Sequence, residues 1–311
     1  MPAAVYVVML RAVRENRSPP CFGLVAAAAC ACSSSVAHAP DPSSSRSAIT
    51  LDFAIDAAVS GEQRECFGFD AAQVVGRWLE RIVWRPPVPG GPLLHHATLF
   101  AVSGDYPDGP VVCDAMPNSW TMHVWAPGGD ALTLPDGVAL VLPSGTKRLV
   151  VQAHVLRFVA GPPAGASVTL ETTDVAPDQV AAWLPAVGGV PAIRPNTEEH
   201  STTTCPVGAP MHVWSAWPHM HLLGQSFQGA IVRADGTRSV FVDVAPWDFA
   251  EQRTYVVDQD VEAGDGIETD CTWVNPTDQY VLPGLSTNDE MCGDGLIVWP
   301  AQAATWQGPC Q

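Results

Sequence analysis

Thr50-Leu51-Asp52-Phe53-Ala54-Ile55 puts Leu51, Phe53 and Ile55 on one side of an extended chain and Thr50, Asp52 and Ala54 on the other. That period of two is the mark of a half-buried β-strand. Strand-like segments recur outward from it, at 93–102, 121–126, 149–158 and 168–172, and again at 211–217, 227–233, 239–244 and 266–274. Turn-formers such as Pro127-Gly128-Gly129 and Pro143-Ser144-Gly145 separate them. The 29 prolines and 26 glycines are scattered, and long runs of 3.6-residue apolar period are missing. One short helix is predicted over 71–80, where Val75, Trp78 and Leu79 would share a face. The expected fold is all-β: two tandem antiparallel β-sandwich domains, jelly-roll-like, over 46–180 and 196–311. The Ala-, Pro- and Gly-rich stretch 181–195 reads as their connection.

Length and charge bound the function. A chain of 311 residues has room for two domains with cores of their own. A net charge of −17 argues against a polyanion such as nucleic acid as partner. The first 45 residues read as an export signal and tether. Arg11, Arg14 and Arg17 precede the small apolar run 21–32, and a Ser/Pro-rich stretch follows. Cys30 or Cys32 would suit lipidation and a membrane tether, and cleavage after Ala39 is the alternative. Of the nine cysteines three lie in this leader; Cys66, Cys113, Cys205, Cys271, Cys292 and Cys310 remain. An even, dispersed set without a C-x-x-C pair reads as disulfides in an oxidising compartment, periplasmic, cell-surface or secreted. Fifteen pairings are open to six cysteines.

Five histidines and one methionine stand out. His95 and His96 are adjacent in a strand-like run, His154 lies in another, and His219 and His221 form an H-x-H in Pro218-His219-Met220-His221. Met291 precedes Cys292. Residues two apart in a strand project from one face, so both rings of an H-x-H can reach one ion. Adjacent histidines project oppositely. They share an ion only if the backbone bends, or if one ring binds through Nδ1 and the other through Nε2. Imidazole suits several transition metals while a thioether favours Cu(I), so this donor set points to copper that visits the reduced state. Singly, each residue has a plain alternative in packing or a hydrogen-bonded core. His123, His200 and His212 are assigned to that alternative. His212 is an odd number of residues from His219 and His221, which in an uninterrupted strand turns it to the other face.

The order and context of these residues resemble the copper type II, ascorbate-dependent monooxygenases, the family of the peptidylglycine α-hydroxylating and dopamine β-hydroxylating enzymes. Pro218-His219-Met220-His221-Leu222-Leu223-Gly224 resembles the family's H-T-H-x-x-G stretch. Asp289-Glu290-Met291-Cys292 resembles its D/E-E-M-C signature, and 264–271 the G-D-x-x-x-x-x-C step. His95-His96 resembles its H-H-M segment, with Ala97 in place of the methionine, and Gln152-Ala153-His154 its Q-x-H. The resemblance implies two copper ions. His95, His96 and His154 would hold an electron-transfer copper in the first domain, and His219, His221 and Met291 the catalytic copper in the second, with a cleft between them. It implies O₂ and a small organic molecule as substrates, ascorbate or a similar one-electron donor as reductant, and C–H hydroxylation as the reaction. It also implies the pairings Cys66–Cys113, Cys271–Cys292 and Cys205–Cys310.

The substrate-recognition residues depart from the family. Trp217 stands where amidating enzymes carry an arginine, and an indole cannot pair with a carboxylate. Gly295 stands where the family has a tyrosine. A peptide C-terminal glycine is therefore not the expected substrate; an amine or aromatic molecule against Trp217, Trp214 or Trp299 is one alternative, and core packing explains these tryptophans equally well. Retained ligands with changed substrate residues also fit an exported copper-binding or electron-transfer protein without catalysis. A carbohydrate- or partner-binding sandwich with vestigial histidines is a third class.

Overall fold

The structure, a computed structural model, describes residues 46–55, 61–87, 93–113, 119–129, 131–157 and 163–310. The leader expected over 1–45, with its candidate lipidation cysteines, lies outside them. Among the described residues the chain forms eighteen strands: β1 Ser47–Ile55, β2 Gly61–Asp70, β3 Trp78–Arg85, β4 Leu93–Val102, β5 Val111–Val112 and β6 Ser119–Trp125. These are followed by β7 Leu132–Thr133, β8 Val138–Val141, β9 Arg148–Arg157, β10 Ala164–Thr173, β11 Gln179–Val187 and β12 Thr197–Pro206. The last six are β13 Met211–Met220, β14 Gly224–Val232, β15 Arg238–Val244, β16 Tyr255–Val261, β17 Gly266–Asn275 and β18 Cys292–Trp299. A single 3₁₀ turn, Ala301–Ala303, is the only helical element among the described residues.

The strands form three sheets. One runs β1-β10-β3-β8-β11-β18-β13-β16, with β7 beside β3; the others run β5-β2-β9-β4-β6 and β12-β17-β14-β15. Ile55, Leu79, Ile82, Leu99, Leu149 and Leu170 are buried between the five-stranded sheet and the first half of the long one. Met220, Phe227, Ile231, Trp273, Leu296 and Val298 are buried between its second half and the four-stranded sheet. Each layer hides one face of alternating side chains, which is why the period of two is legible in the sequence. Gly128 and Gly145, in the quoted turns, take φ of +83° and +82°, a region that costs glycine little.

Two expectations require correction. No helix forms over 71–80. The N–H groups of Val74 and Val75 both donate to Ala71 O, Gly76 then takes φ +79°, and the chain enters β3 at Trp78. Val75, expected on the apolar face, is 51% exposed. The ladder with β10 skips Glu80, so Leu79 and Ile82 both reach the core although they are three apart. Such a bulge gives a strand helix-like apolar spacing. The stretch 181–195, read as a connection, begins inside a strand: β11 pairs in parallel with β8 and antiparallel with β18. Small residues hid it, because Ala181 and Ala186 are buried where a central strand is closely approached on both faces.

Candidate metal centre

His95 and His96 lie on β4, and His154 on its neighbour β9. The β4–β9 ladder jumps from Leu94↔Val155 to His96↔His154, leaving His95 as an extra residue. This bulge is the local bend that adjacent histidines need if both are to face one point. Their Nδ1 atoms lie 3.1 Å apart, and one nitrogen from each of His95, His96 and His154 falls within 4.8 Å of the others. The outer nitrogens are engaged elsewhere. His154 Nε2–H donates to Glu62 Oε1 at 2.8 Å, and His95 Nε2–H to Phe249 O at 3.3 Å. His154 Nδ1 is buried with no hydrogen-bond partner. A fully buried polar atom left this way suits a ligand the protein itself does not supply.

His219 is near the end of β13, and His221 is just beyond it. Their rings lie 5.0 Å apart, as the H-x-H spacing requires. His219 Nδ1–H donates to Gln252 Oε1 at 2.7 Å and His221 Nδ1–H to Asp289 O at 3.1 Å, so both present Nε2. The β13–β18 register ends at Met220↔Cys292, and one step further sets Met291 beside His221. Glu290 locks this junction. Its carboxylate accepts N–H bonds from His221 (3.0 Å), Leu223 (2.6 Å) and Met291 (3.3 Å), and one from Trp273 Nε1 (3.0 Å). The disulfide Cys271–Cys292 anchors the residue after Met291; Cys66–Cys113 and Cys205–Cys310 complete the implied pairings.

The two histidine sets adjoin. The His96 and His219 rings are 5.6 Å apart, where a cleft had been expected. Two contacts between chain segments bring them together. Glu62 on β2 reaches the loop before Met291, accepting from Thr287 N (2.9 Å), Thr287 Oγ1 (2.5 Å) and Ser286 Oγ (3.1 Å). The strap 245–254 between β15 and β16 stacks Phe249 on His95, with centroids 3.9 Å apart. Burial governs the charges here. It holds His95 down to about 3 and His154 to about 4, and places His96, His219 and His221 below the ordinary histidine range. All five are therefore neutral imidazoles near pH 7, the form that ligates a metal. Burial raises Glu62, but hydrogen bonds from Thr287 and His154 outweigh it and hold the carboxyl at about 2. Glu290 is pushed up to about 7 by burial, against the pull of its four donors.

Residues 182–306, which span most of β11 to the 3₁₀ turn, match the family model of the copper type II ascorbate-dependent monooxygenase C-terminal domain. This segment is similar to the C-terminal domain of the copper type II ascorbate-dependent monooxygenases. It contains His219, His221 and Met291, so the H-x-H and its methionine lie in the matched domain. Among solved structures, the major capsid protein P2 of bacteriophage PM2 is similar at a TM-score of 0.38 and 9% identity, over 82% of this chain and 97% of that one. An allantoicase is similar at 0.19 and 9%, over 78% and 74%. Likenesses this distant carry no argument about fold or function.

Within the matched segment the substrate-side departures have a structural account. Trp217 stacks on His219, with centroids 4.8 Å apart, and its Nε1–H donates to Gln252 O. Trp183 on β11 lies 6.4 Å from Trp217, and a Cβ on Gly295 would sit 2.0 Å from the Trp183 ring. The indole of Trp183 thus occupies the space a side chain at 295 would need. Trp214 and Trp299 pack against each other and the first core, on β13 and at the end of β18.

His123 accepts from Trp84 Nε1–H at 2.9 Å, and His200 bonds Asp270, both as expected for structural residues. His212 also stays outside the centre, held by Asp258 and Asp260, but not for the reason expected. The β13–β18 ladder shifts between Val213 and Ser215, so His212 pairs with Trp299 and shares a face with His219, paired with Gly293. The strand is interrupted, and parity across the bulge is reversed. Sequence reasoning missed Glu62, Phe249 and Gln252, whose partners are distant in the chain. Glu290 carried a signal, since it lies inside the quoted Asp289-Glu290-Met291-Cys292.

Proposed function

We propose that this chain is an exported copper-dependent monooxygenase that hydroxylates a C–H bond of a small organic substrate, using O₂ and ascorbate or a similar one-electron donor. The observation that carries the reading is the convergence of five neutral histidines, each outer nitrogen of His95, His154, His219 and His221 already tied to protein, within and beside the matched domain. His95, His96 and His154 would hold one copper through nitrogens of the Nδ1 type. His219 and His221 would hold the other through Nε2, with Met291 supplying a thioether. On this reading 46–180 is the electron-transfer half and 196–311 the catalytic half. Bound copper supplies one-electron chemistry toward O₂: two electrons from the donor leave one oxygen atom in an alcohol and the other in water.

The chain's own residues orient and enclose. Gln252 and the Asp289 carbonyl hold the His219 and His221 rings by the nitrogen that does not face the metal, which also raises ligand basicity. Trp183 and Trp217 wall the His219 side with apolar rings, favouring an aromatic or amine substrate over a carboxylate. The three disulfides support an oxidising, exported setting.

The near-complete burial of His95, His154, His219 and His221 favours a second reading, an exported copper-binding or electron-transfer protein without turnover. Copper stoichiometry of the protein beside His95→Ala and His219→Ala tests both. Two ions in the parent and one in each variant, with O₂ uptake dependent on ascorbate and an added amine or aromatic substrate, is the expected result. Two ions without such uptake favours the second reading. One ion or none, unchanged by either substitution, overturns both.

A further inference from the structure

Gln252 lies outside every motif quoted above, is 2% exposed, and touches both histidine sets. Its Oε1 accepts from His219 Nδ1 at 2.7 Å. Its Nε2 faces two carbonyls, Phe249 O at 3.0 Å and Met220 O at 3.5 Å, and lies 3.2 Å from His95 Nε2. Two carbonyls around one end of a carboxamide identify that end as the donor. Phe249 O is also the acceptor of His95 Nε2–H, and the Phe249 ring lies flat on His95. The strap itself is held: Gln252 N–H donates to Pro127 O, and Trp217 Nε1–H to Gln252 O.

We propose that Gln252 is a positioning residue shared by the two histidine sets. One end of its carboxamide turns His219 so that Nε2 faces the centre. The other end holds the Phe249 carbonyl against His95, turning that ring so that Nδ1 faces His96. Replacing this one side chain therefore changes ring orientation in both sets, at His219, 33 residues away in the chain, and at His95, 157 away. The inference rests on the copper reading for its purpose but not for its test.

The test uses metal-free full-length protein, in which long-range ¹H–¹⁵N spectra report which nitrogen of each histidine carries the proton. His219 in the parent is expected as the Nδ1–H form. Gln252→Met, of similar size but unable to make these bonds, should shift the ring signals of His219 and His95 together. Gln252→Glu keeps the acceptor toward His219 and loses the donor toward Phe249 O, so it should restore His219 and leave His95 perturbed. Competition with a Cu(I) chelator should then show about 10- to 100-fold weaker binding in Gln252→Met, the range for loss of a residue that orients a ligand. An Nε2–H form of His219 in the parent, or perturbation of His219 alone in both variants, overturns the proposal. If Gln252→Met does not fold, the Gln252→Glu spectrum decides alone: His95 unchanged overturns it. Failure of the parent to bind copper would overturn the functional reading and leave the spectral result standing.

Discussion

Gly295→Ala tests the claim that Trp183 has taken the space a side chain at 295 would need. A Cβ at 295 would lie 2.0 Å from Cη2 and Cζ2 of Trp183 and 3.0 Å from Cε2. Carbon atoms in contact rest at about 3.5–4.0 Å, so the indole must retreat by roughly 1.5 Å. It has little freedom to do so, because Trp183 packs against Trp217 and the first core, and its strand pairs on both sides. Forced overpacking of this kind costs about 1–3 kcal/mol. Removing a glycine from a strand interior returns roughly 0.5–1 kcal/mol, so the net destabilisation expected is about 1–2 kcal/mol. In a Trp183→Ala background the obstacle is gone, and Gly295→Ala should become neutral or slightly stabilising. The assay is urea unfolding of metal-free protein with disulfides intact, followed by tryptophan fluorescence, for the parent, both single variants and the double. The cavity left by Trp183→Ala appears on both arms of the cycle and cancels, leaving a coupling of about 1–3 kcal/mol. Equal costs of Gly295→Ala in the two backgrounds, within about 0.5 kcal/mol, would refute the reasoning.

Two further outcomes are expected. Glu290→Ala should cost at least about 3 kcal/mol, since it strips the acceptor from four N–H donors at a buried site; it should also lower copper retention while His95 and its partners still load. Urea unfolding and metal analysis check this, and a cost below about 1 kcal/mol would mean those donors find other acceptors. His123 is held to about 3 by burial, below the 6.5 of a free histidine. Between those values the unfolded chain binds the proton and the folded one does not, so stability is full above pH 6.5 and falls as pH drops below it. The slope from this residue is about 1.4 kcal/mol per pH unit. His123→Gln, which can still accept from Trp84, should flatten the pH dependence of unfolding between pH 6.5 and 5 by that amount; an unchanged slope counts against the assignment.

The sequence by itself determined what depends on near neighbours and on residue chemistry. Alternation identified β1, β4, β9 and β17, because a strand's two faces are set by its own residues. The H-x-H with Met291 pointed to copper through side-chain chemistry, and the family resemblance added His95, His96 and His154 to the expected ligands. The tertiary structure decided which way those side chains point. The bulge at His95 turns two neighbours toward one site, and the shift after Val213 brings His212 onto the His219 face; both arise where cross-strand ladders slip. A ladder's register is a property of two strands, so neither strand's sequence contains it. The same reason hid Gln252, 33 residues from His219, and Glu62, 92 from His154. The closeness of the two histidine sets likewise depends on a long sheet continued through β8 and β11, whose pairing no local pattern records.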